Sequence, residues 1–240
     1  MKKKILLLIM MLLMPLVSGA HDIAVQNSDG VTIYYNYISE GTELAVTYRG
    51  TFYDTYPNEY VGVVVIPEEV TYMNRTRKVT IISDYAFKEC TGLTSVIIGN
   101  SVTSIGKEAF IQCFGLTSIT IPNSVTRIGD QAFCGVYIPT VISLIENPFT
   151  IQGKSSNDKV FSLNTFDNAT LYVPQGTIEK YKATDGWKDF ANIEEGEPVG
   201  INVVENAYNN NTTIYNLNGV RQSDTKKGIN IVNGKKVAIK

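Results

Sequence analysis

The chain has 240 residues, with 21 basic and 23 acidic side chains, one histidine, three cysteines and a formal net charge of −2. Removing Lys2, Lys3 and Lys4 leaves 18 basic against 23 acidic residues, a net −5, which argues against nucleic acid because that binding depends on basic neutralisation of phosphates. The odd cysteine count does not describe a disulfide framework.

Residues 1–20 read as a signal peptide. Lys2, Lys3 and Lys4 form a positive n-region, and Ile5 to Val17 is an apolar run broken only by Pro15. That run is shorter than the roughly 20 residues a membrane span needs. Ser18-Gly19-Ala20 puts small residues where a signal peptidase cuts. The mature chain is expected to begin near His21 and to hold one or two domains. No other apolar stretch approaches spanning length, so no transmembrane segment is expected in it.

Residues 21–60 read as a β-rich N-terminal cap. Val31 to Tyr37 and Leu44 to Tyr48 are rich in β-branched and aromatic residues, with turns at Ser28-Asp29-Gly30 and Glu40-Gly41-Thr42. Of the 14 tyrosines, eight fall between Tyr34 and Tyr72. Tyrosine combines large contact area with a polar tip. The solvent-facing members of Tyr34, Tyr35, Tyr37, Tyr53, Tyr56 and Tyr60 are therefore candidate binding residues. Strand alternation sends Tyr34 and Tyr35 to opposite faces, so about half of the group is expected to be packing.

From residue 61 a 23-residue period governs the sequence. Ile82, Ile105 and Ile128 recur at that interval, as do Ala86-Phe87, Ala109-Phe110 and Ala132-Phe133. Leu93, Val96 and Ile98 recur as Leu116, Ile119 and Ile121, and a degraded copy reads Pro139, Ile142 and Leu144. Period-2 alternation over Leu-x-x-Val-x-Ile predicts a short strand, and Ile-x-x-x-Ala-Phe-x-x-Cys predicts a helical or 3-10 turn. One such unit cannot bury its apolar stripe alone, whereas stacked units share a core. Phe87, Phe110 and Phe133 are expected to be buried in one row. Cys90 and Cys113 share a repeat position. A disulfide there is conceivable, but a ladder of small buried thiols is the favoured reading. The outward sheet positions are expected as Ser95, Ser118 and Val141 in one row and Ile97, Thr120 and Ser143 in another.

The unit I-G-x-x-A-F-x-x-C-x-x-L-T-S-I-x-I-P-N-S-V resembles the BspA-like leucine-rich repeats of bacterial surface proteins. The likeness spans about Val61 to Asn192. Gly62 to Ile66 with Pro67 looks like a divergent first unit. Leu171-Tyr172-Val173-Pro174, Lys180-Tyr181 and Gly186-Trp187 look like the closing cap. The resemblance implies a mainly β fold with short helical or 3-10 turns. It implies a right-handed leucine-rich-repeat solenoid over 61–193, flanked by the β-hairpin cap and a small C-terminal β-module. It also implies surface exposure and, in some members, adhesion to host proteins. With only about three recognisable units, a long concave array is not expected.

Glu194 to Pro198 opens a linker over 194–200, and Asn209-Asn210-Asn211 is a second polar break. Asn218-Gly219 and Asn233-Gly234, each between β-forming residues, are hairpin signals within residues 201–240. This ending resembles the C-terminal sorting modules of the type IX secretion route, which implies delivery to the surface of a Gram-negative type envelope.

Nothing in the sequence points to an enzyme. Acid–base catalysis most often uses histidine, and His21 at the expected mature terminus is a poor scaffold for catalysis or zinc. Without a second histidine no Ser–His–Asp or Cys–His arrangement can form. No Gly-rich phosphate loop or Asp-rich calcium loop occurs, so no cofactor is expected. The Asn74-Arg75-Thr76, Asn168-Ala169-Thr170 and Asn211-Thr212-Thr213 triplets match the glycosylation pattern by chance. The sequence is thus read as an exported cell-surface protein that binds or adheres to a protein or carbohydrate partner. A structural or spacer part of a surface assembly is the alternative, and a two-carboxylate hydrolase the remote one.

Overall fold

The computed structural model describes residues 21–27 and 30–196, and beyond them the backbone of four strands within 214–239. Residues 1–20, read as a signal peptide, and 197–200 of the expected linker lie outside the described residues, as do the Asn211 triplet and both Asn-Gly pairs expected to turn.

The chain begins with three antiparallel strands, β1 (Ile23–Gln26), β2 (Thr32–Ile38) and β3 (Glu43–Thr47). After β4 (Gly62–Ile66), a hairpin of β5 (Glu69–Tyr72) and β6 (Arg75–Ile82) leads into the repeats. These supply β7 (Leu93–Ile98), β8 (Ser104–Ile105), β9 (Ser118–Ile121), β10 (Arg127–Ile128) and β11 (Thr140–Ser143). Helix α1 (Leu163–Asn168), β12 (Thr170–Val173), α2 (Ile178–Ala183) and β13 (Asn192–Glu195) complete the main body.

Each repeat unit gives one strand to each of two sheets. The first sheet runs β1-β2-β3-β6-β8-β10, and the second runs β13-β12-β11-β9-β7-β4. Every pair in the second sheet is parallel. The period fixes the register: Ile82 pairs with Ile105, Ile105 with Ile128, and Val96 with Ile119. Apolar positions therefore stack on apolar positions, and a one-residue slip would turn each strand inside out. β3 pairs in parallel with β6, so the N-terminal strands extend the repeat sheet. A single apolar core runs from Ile23 to Phe190.

The Ala-Phe segments form turns and no continuous helix: Ala86, Lys88 and Cys90 donate to the carbonyls of Ser83, Tyr85 and Phe87, the 3-10 pattern expected, but only at alternate residues. Tyr85, Glu108 and Gln131 share one repeat position and have φ of 62, 51 and 56°. Glu89 and Gln112 share another, with φ of 58 and 59°. These left-handed residues aim alternate N–H groups at the next unit. Tyr85, Phe87 and Glu89 donate to the carbonyls of Lys107, Ala109 and Ile111 at 3.0, 2.8 and 2.9 Å. Glu108, Phe110 and Gln112 repeat the pattern onto Asp130, Ala132 and Cys134. A left-handed non-glycine residue costs about 1–2 kcal/mol, and a buried N–H left unpaired costs about 1–3 kcal/mol. With several donors satisfied per unit, the bonds between units win over the helix. Glycine is required where units touch: a Cβ on Gly106 or Gly129 would lie 2.4 or 2.5 Å from the backbone of Asp84 or Lys107.

The degraded copy sits one residue earlier than its 23-residue spacing suggests. Thr140 pairs with Ser118, and Val141 with Ile119. Its inward positions are thus Ile138, Val141 and Ser143. The cause is a deletion in the preceding turn: Val136 and Ile138 are separated by one residue, whereas Cys113 and Leu116 are separated by two. The outward rows change with it. Thr140 replaces Val141 beside Ser95 and Ser118, and Ile142 replaces Ser143 beside Ile97 and Thr120. Ile97, Thr120 and Ile142 are also buried, so this second row offers no open surface.

Through the core run the parallel rings of Phe87, Phe110 and Phe133, with centroids 4.9 and 5.1 Å apart and all fully buried. Phe161, in the next layer, continues the stack at 5.2 Å. Tyr60 closes one end, tilted on Phe87 at 4.6 Å. Phe166, Trp187 and Phe190 pack around Phe161 at the other end. There the Trp187 indole donates to the Phe149 carbonyl, and the Tyr181 hydroxyl to that of Ile145, both at 2.8 Å. Cys90 and Cys113 are buried free thiols, and Cys113 Sγ donates to the Phe87 carbonyl at 2.9 Å. Burial pushes the Cys90 thiol up to about 11, and pushes Cys113 up as well.

The C-terminal strands β14 (Ile214–Asn216), β15 (Arg221–Gln222), β16 (Gly228–Val232) and β17 (Lys235–Ile239) form a separate antiparallel sheet in the order β15-β14-β16-β17. Val232 pairs with Lys235.

Candidate functional site

The tyrosine group divides by environment. Tyr35 and Tyr60 are each 1 % exposed, which removes both from the candidate surface. Strand alternation turns Tyr35 inward from β2. Tyr60 seals the phenylalanine stack, with its hydroxyl accepting from Tyr34 N–H at 3.3 Å and donating to the Thr47 carbonyl at 3.1 Å. Burial pushes both phenols upward. Tyr37 is half-buried beneath the Arg77 guanidinium at 4.8 Å. Tyr53 stacks on Tyr85 at 4.6 Å, with the Lys88 ammonium 4.2 Å over its ring. Both already spend one face on neighbours.

Tyr34 and Tyr56 are brought together at a surface groove of about 490 Å³, lined also by Val31, Arg49, Pro57, Glu59 and Val61. Tyr34 stands on β2, whereas Arg49, Tyr56 and Glu59 come from the 48–60 connection that leads toward β4. Gly50 makes the approach possible. Its φ is 85°, and a Cβ there would lie 2.7 Å from the Tyr56 ring. The Arg49 guanidinium lies 4.5 Å over that ring. The Glu59 carboxylate accepts the Arg49 backbone N–H at 2.8 Å and is hydrogen-bonded by the Tyr34 hydroxyl. Burial raises the Glu59 pKa, with Arg49 and Tyr34 opposing the shift. Burial and then the Glu59 charge raise that of Tyr34. His21 meets Tyr34 edge-on at 4.6 Å, and its Nδ1 is shielded with no hydrogen-bond partner among the described residues. Its pKa is lowered by burial first and then by Arg49.

The groove can thus offer aromatic faces, a cationic donor and a carboxylate acceptor to one ligand. Arg49 and Glu59 escape a sequence search because neither repeats nor sits in a motif. Two exposed aromatics, Phe114 and Tyr137, were also missed, although they lie 23 residues apart at one repeat position.

Residues 67–177 match the family described as BspA type leucine rich repeat region, in 6 copies. Among solved structures, the chain is similar to a leucine-rich repeat protein from Bacteroides capillosus, with 24 % identity, 63 % of this chain and 99 % of that one covered, and a TM-score of 0.43. It is similar to another from Bacteroides ovatus, with 21 % identity over 68 % of this chain and a TM-score of 0.32, and spans 51 % of that chain. A leucine rich cell surface protein from Faecalibacterium prausnitzii shares 15 % identity over 64 % of this chain and 71 % of that one, with a TM-score of 0.24. No curated protein matches the chain. The fold is mainly β, and residues 67–177 within it are similar to leucine rich repeats of the BspA type. Among the described residues, no helix is long and apolar enough to cross a membrane.

Proposed function

We propose that this is an exported, non-catalytic binding protein of the bacterial cell surface, whose partner, a protein or a glycan, docks at the Tyr34–Tyr56 groove. The observation that carries the reading is the Arg49 guanidinium over the exposed Tyr56 ring, with the Glu59 carboxylate held on the Arg49 backbone N–H. Tyrosine and arginine are the residue types over-represented where binding energy concentrates. Export is supported by the Lys-rich, apolar, small-residue N-terminus. In this reading the repeats form a right-handed solenoid whose capped core is a rigid platform, and residues 201–240 deliver or attach it at the surface.

The test uses immobilised matrix proteins and glycans with Tyr56→Ala and Arg49→Ala. Each substitution is expected to weaken binding about tenfold or more, equivalent to about 1.4 kcal/mol. Both side chains are exposed, so unfolding midpoints should stay nearly unchanged. Binding losses that follow stability losses would reduce the groove to packing and favour a spacer role.

A further inference from the structure

The groove does not end at Val61. Val61 Cγ1 lies 2.9 Å from where a Cβ of Gly92 would be. Asn58 Oδ1 accepts from the Thr91 hydroxyl at 2.5 Å and from Gly92 N–H at 3.3 Å. In the next unit, a Cβ on Gly115 would fall 2.5 Å from the Thr91 carbonyl, so Phe114-Gly115 lies directly on Thr91-Gly92. Tyr137 follows one unit later, and its hydroxyl donates to the Asn168 carbonyl at 3.4 Å. Tyr56, Val61, Thr91, Phe114 and Tyr137 therefore mark one continuous flank along the stacking direction. Phe114 is 64 % exposed, Val61 60 % and Tyr137 41 %. A repeat position that exposes an aromatic ring in two successive layers meets no packing need of its own.

The chemistry beside this flank is one-sided. Residues 90–104, 113–126 and 132–145 contain no Asp, Glu, Lys or Arg. The charges of the repeats fall in the other half of each unit, at Asp84, Lys88, Glu89, Lys107, Glu108, Arg127 and Asp130. Thr94 and Thr117 are exposed next to the aromatic positions, and Ser95, Ser118 and Thr140 form a half-open hydroxyl row on the adjoining sheet. Exposed aromatic faces in successive layers, Phe114 and Tyr137, set in an uncharged, hydroxyl-rich strip match a polymer with apolar C–H faces and hydroxyl edges.

We propose that this flank binds a neutral polysaccharide chain, with one end in the Tyr34–Tyr56 groove and its length running over Phe114 and Tyr137. The proposal rests on the groove being a binding site and adds the class and the extended form of its ligand. In the groove, the Glu59 carboxylate and the Arg49 guanidinium accept from and donate to sugar hydroxyls while Tyr56 covers a ring face. Layers along the flank follow at about the 4.8 Å spacing of paired strands, so each further sugar gains contacts without any change in the protein.

The experiment measures binding of the full mature chain to soluble neutral polysaccharides (mannan, arabinogalactan, starch and mixed-linkage β-glucan) and to graded oligosaccharides of whichever one binds. Heparin and gelatin serve as the anionic and polypeptide comparisons. The expected result is affinity for a neutral polymer that rises with oligomer length. Phe114→Ala combined with Tyr137→Ala should lower long-oligomer affinity about tenfold or more. The double variant should leave short-oligomer binding and the unfolding midpoint unchanged, and Tyr56→Ala should weaken both lengths. Length-independent binding that Tyr56→Ala still abolishes would overturn the flank and leave the groove reading intact. Binding confined to heparin or gelatin, or to none of these, would overturn the neutral-polysaccharide assignment, and the matrix-protein assay would then judge the groove alone.

Discussion

Phe110, like Phe133, has a parallel ring on both sides, at 4.9 Å from Phe87 and 5.1 Å from Phe133. Truncating a buried phenylalanine to alanine costs about 3–5 kcal/mol. Each aromatic contact contributes about 0.5–1.5 kcal/mol beyond burial, and Phe110→Ala loses two of them, so the upper part of the range, about 4–5 kcal/mol, is expected. For a chain of this size about 2–4 °C accompanies each kcal/mol, giving a midpoint drop of about 8–20 °C. Trp187 packs on Phe161 at the far end of the same stack. Its fluorescence during urea unfolding, read beside circular dichroism, therefore reports whether the loss spreads through the whole core. Phe114→Ala is the control: it lies four residues away, exposed, and should shift stability by no more than about 0.5 kcal/mol. Equal small effects at both positions would refute the stacking register. A large effect seen only by circular dichroism would show instead that layers unfold separately, as repeat arrays can.

Three further outcomes follow from the same geometry. Glu89 has φ 58°, so Glu89→Gly should hold or raise stability by about 1 kcal/mol, and Glu89→Val should lower it. Cys90 and three buried tyrosines, Tyr35, Tyr60 and Tyr181, have pKa values raised by burial. The folded state prefers their protonated forms, so the stability this confers is complete below the unfolded values and is lost as pH rises through the folded ones. For Cys90 that window runs from its ordinary value of 9.0 to about 11. Alkaline titration of the unfolding free energy should fall across it, and a flat profile would contradict the burial. Finally, a chain ending at Glu195 should unfold as cooperatively as the full chain, because the core ends at Phe190. In its native cell that truncated chain should cross the inner membrane and fail to reach the surface in protease-accessibility assays. Normal display would dismiss the delivery role, and lost cooperativity would make residues 201–240 part of the fold.

The repeat was open to reading because its period is written in chemical type. Residues 23 apart, such as Ile82, Ile105 and Ile128, can bury their side chains only by stacking, so identity at that spacing implies contact. The same argument reaches Phe87, Phe110 and Phe133 and stops there. Phe161 completes the stack after an interval of 28 residues, which no period discloses, and Tyr60 joins it from outside the repeat. The missing residue between Val136 and Ile138 is visible only when pairing reveals which side chains point inward. The Ala-Phe turns show helical spacing, yet they keep i→i−3 bonds only at alternate residues because the next unit presents carbonyls to Phe87 and Glu89, and local periodicity carries no knowledge of that neighbour.

Composition and period alone thus determined a stacked β architecture, the inward residues of its two regular copies and its uncharged strand segments. The groove belongs to tertiary structure. Tyr34 lies on a strand and Tyr56 in a loop 22 residues later, and they meet because β2 must turn Tyr35 into the core while Gly50 lets the loop fold back over Arg49. A repeat propagates its contacts from one layer to the next and so announces them in sequence. A site assembled from unlike segments is decided by chain reversal and long-range pairing, whose outcome depends on every layer beneath it.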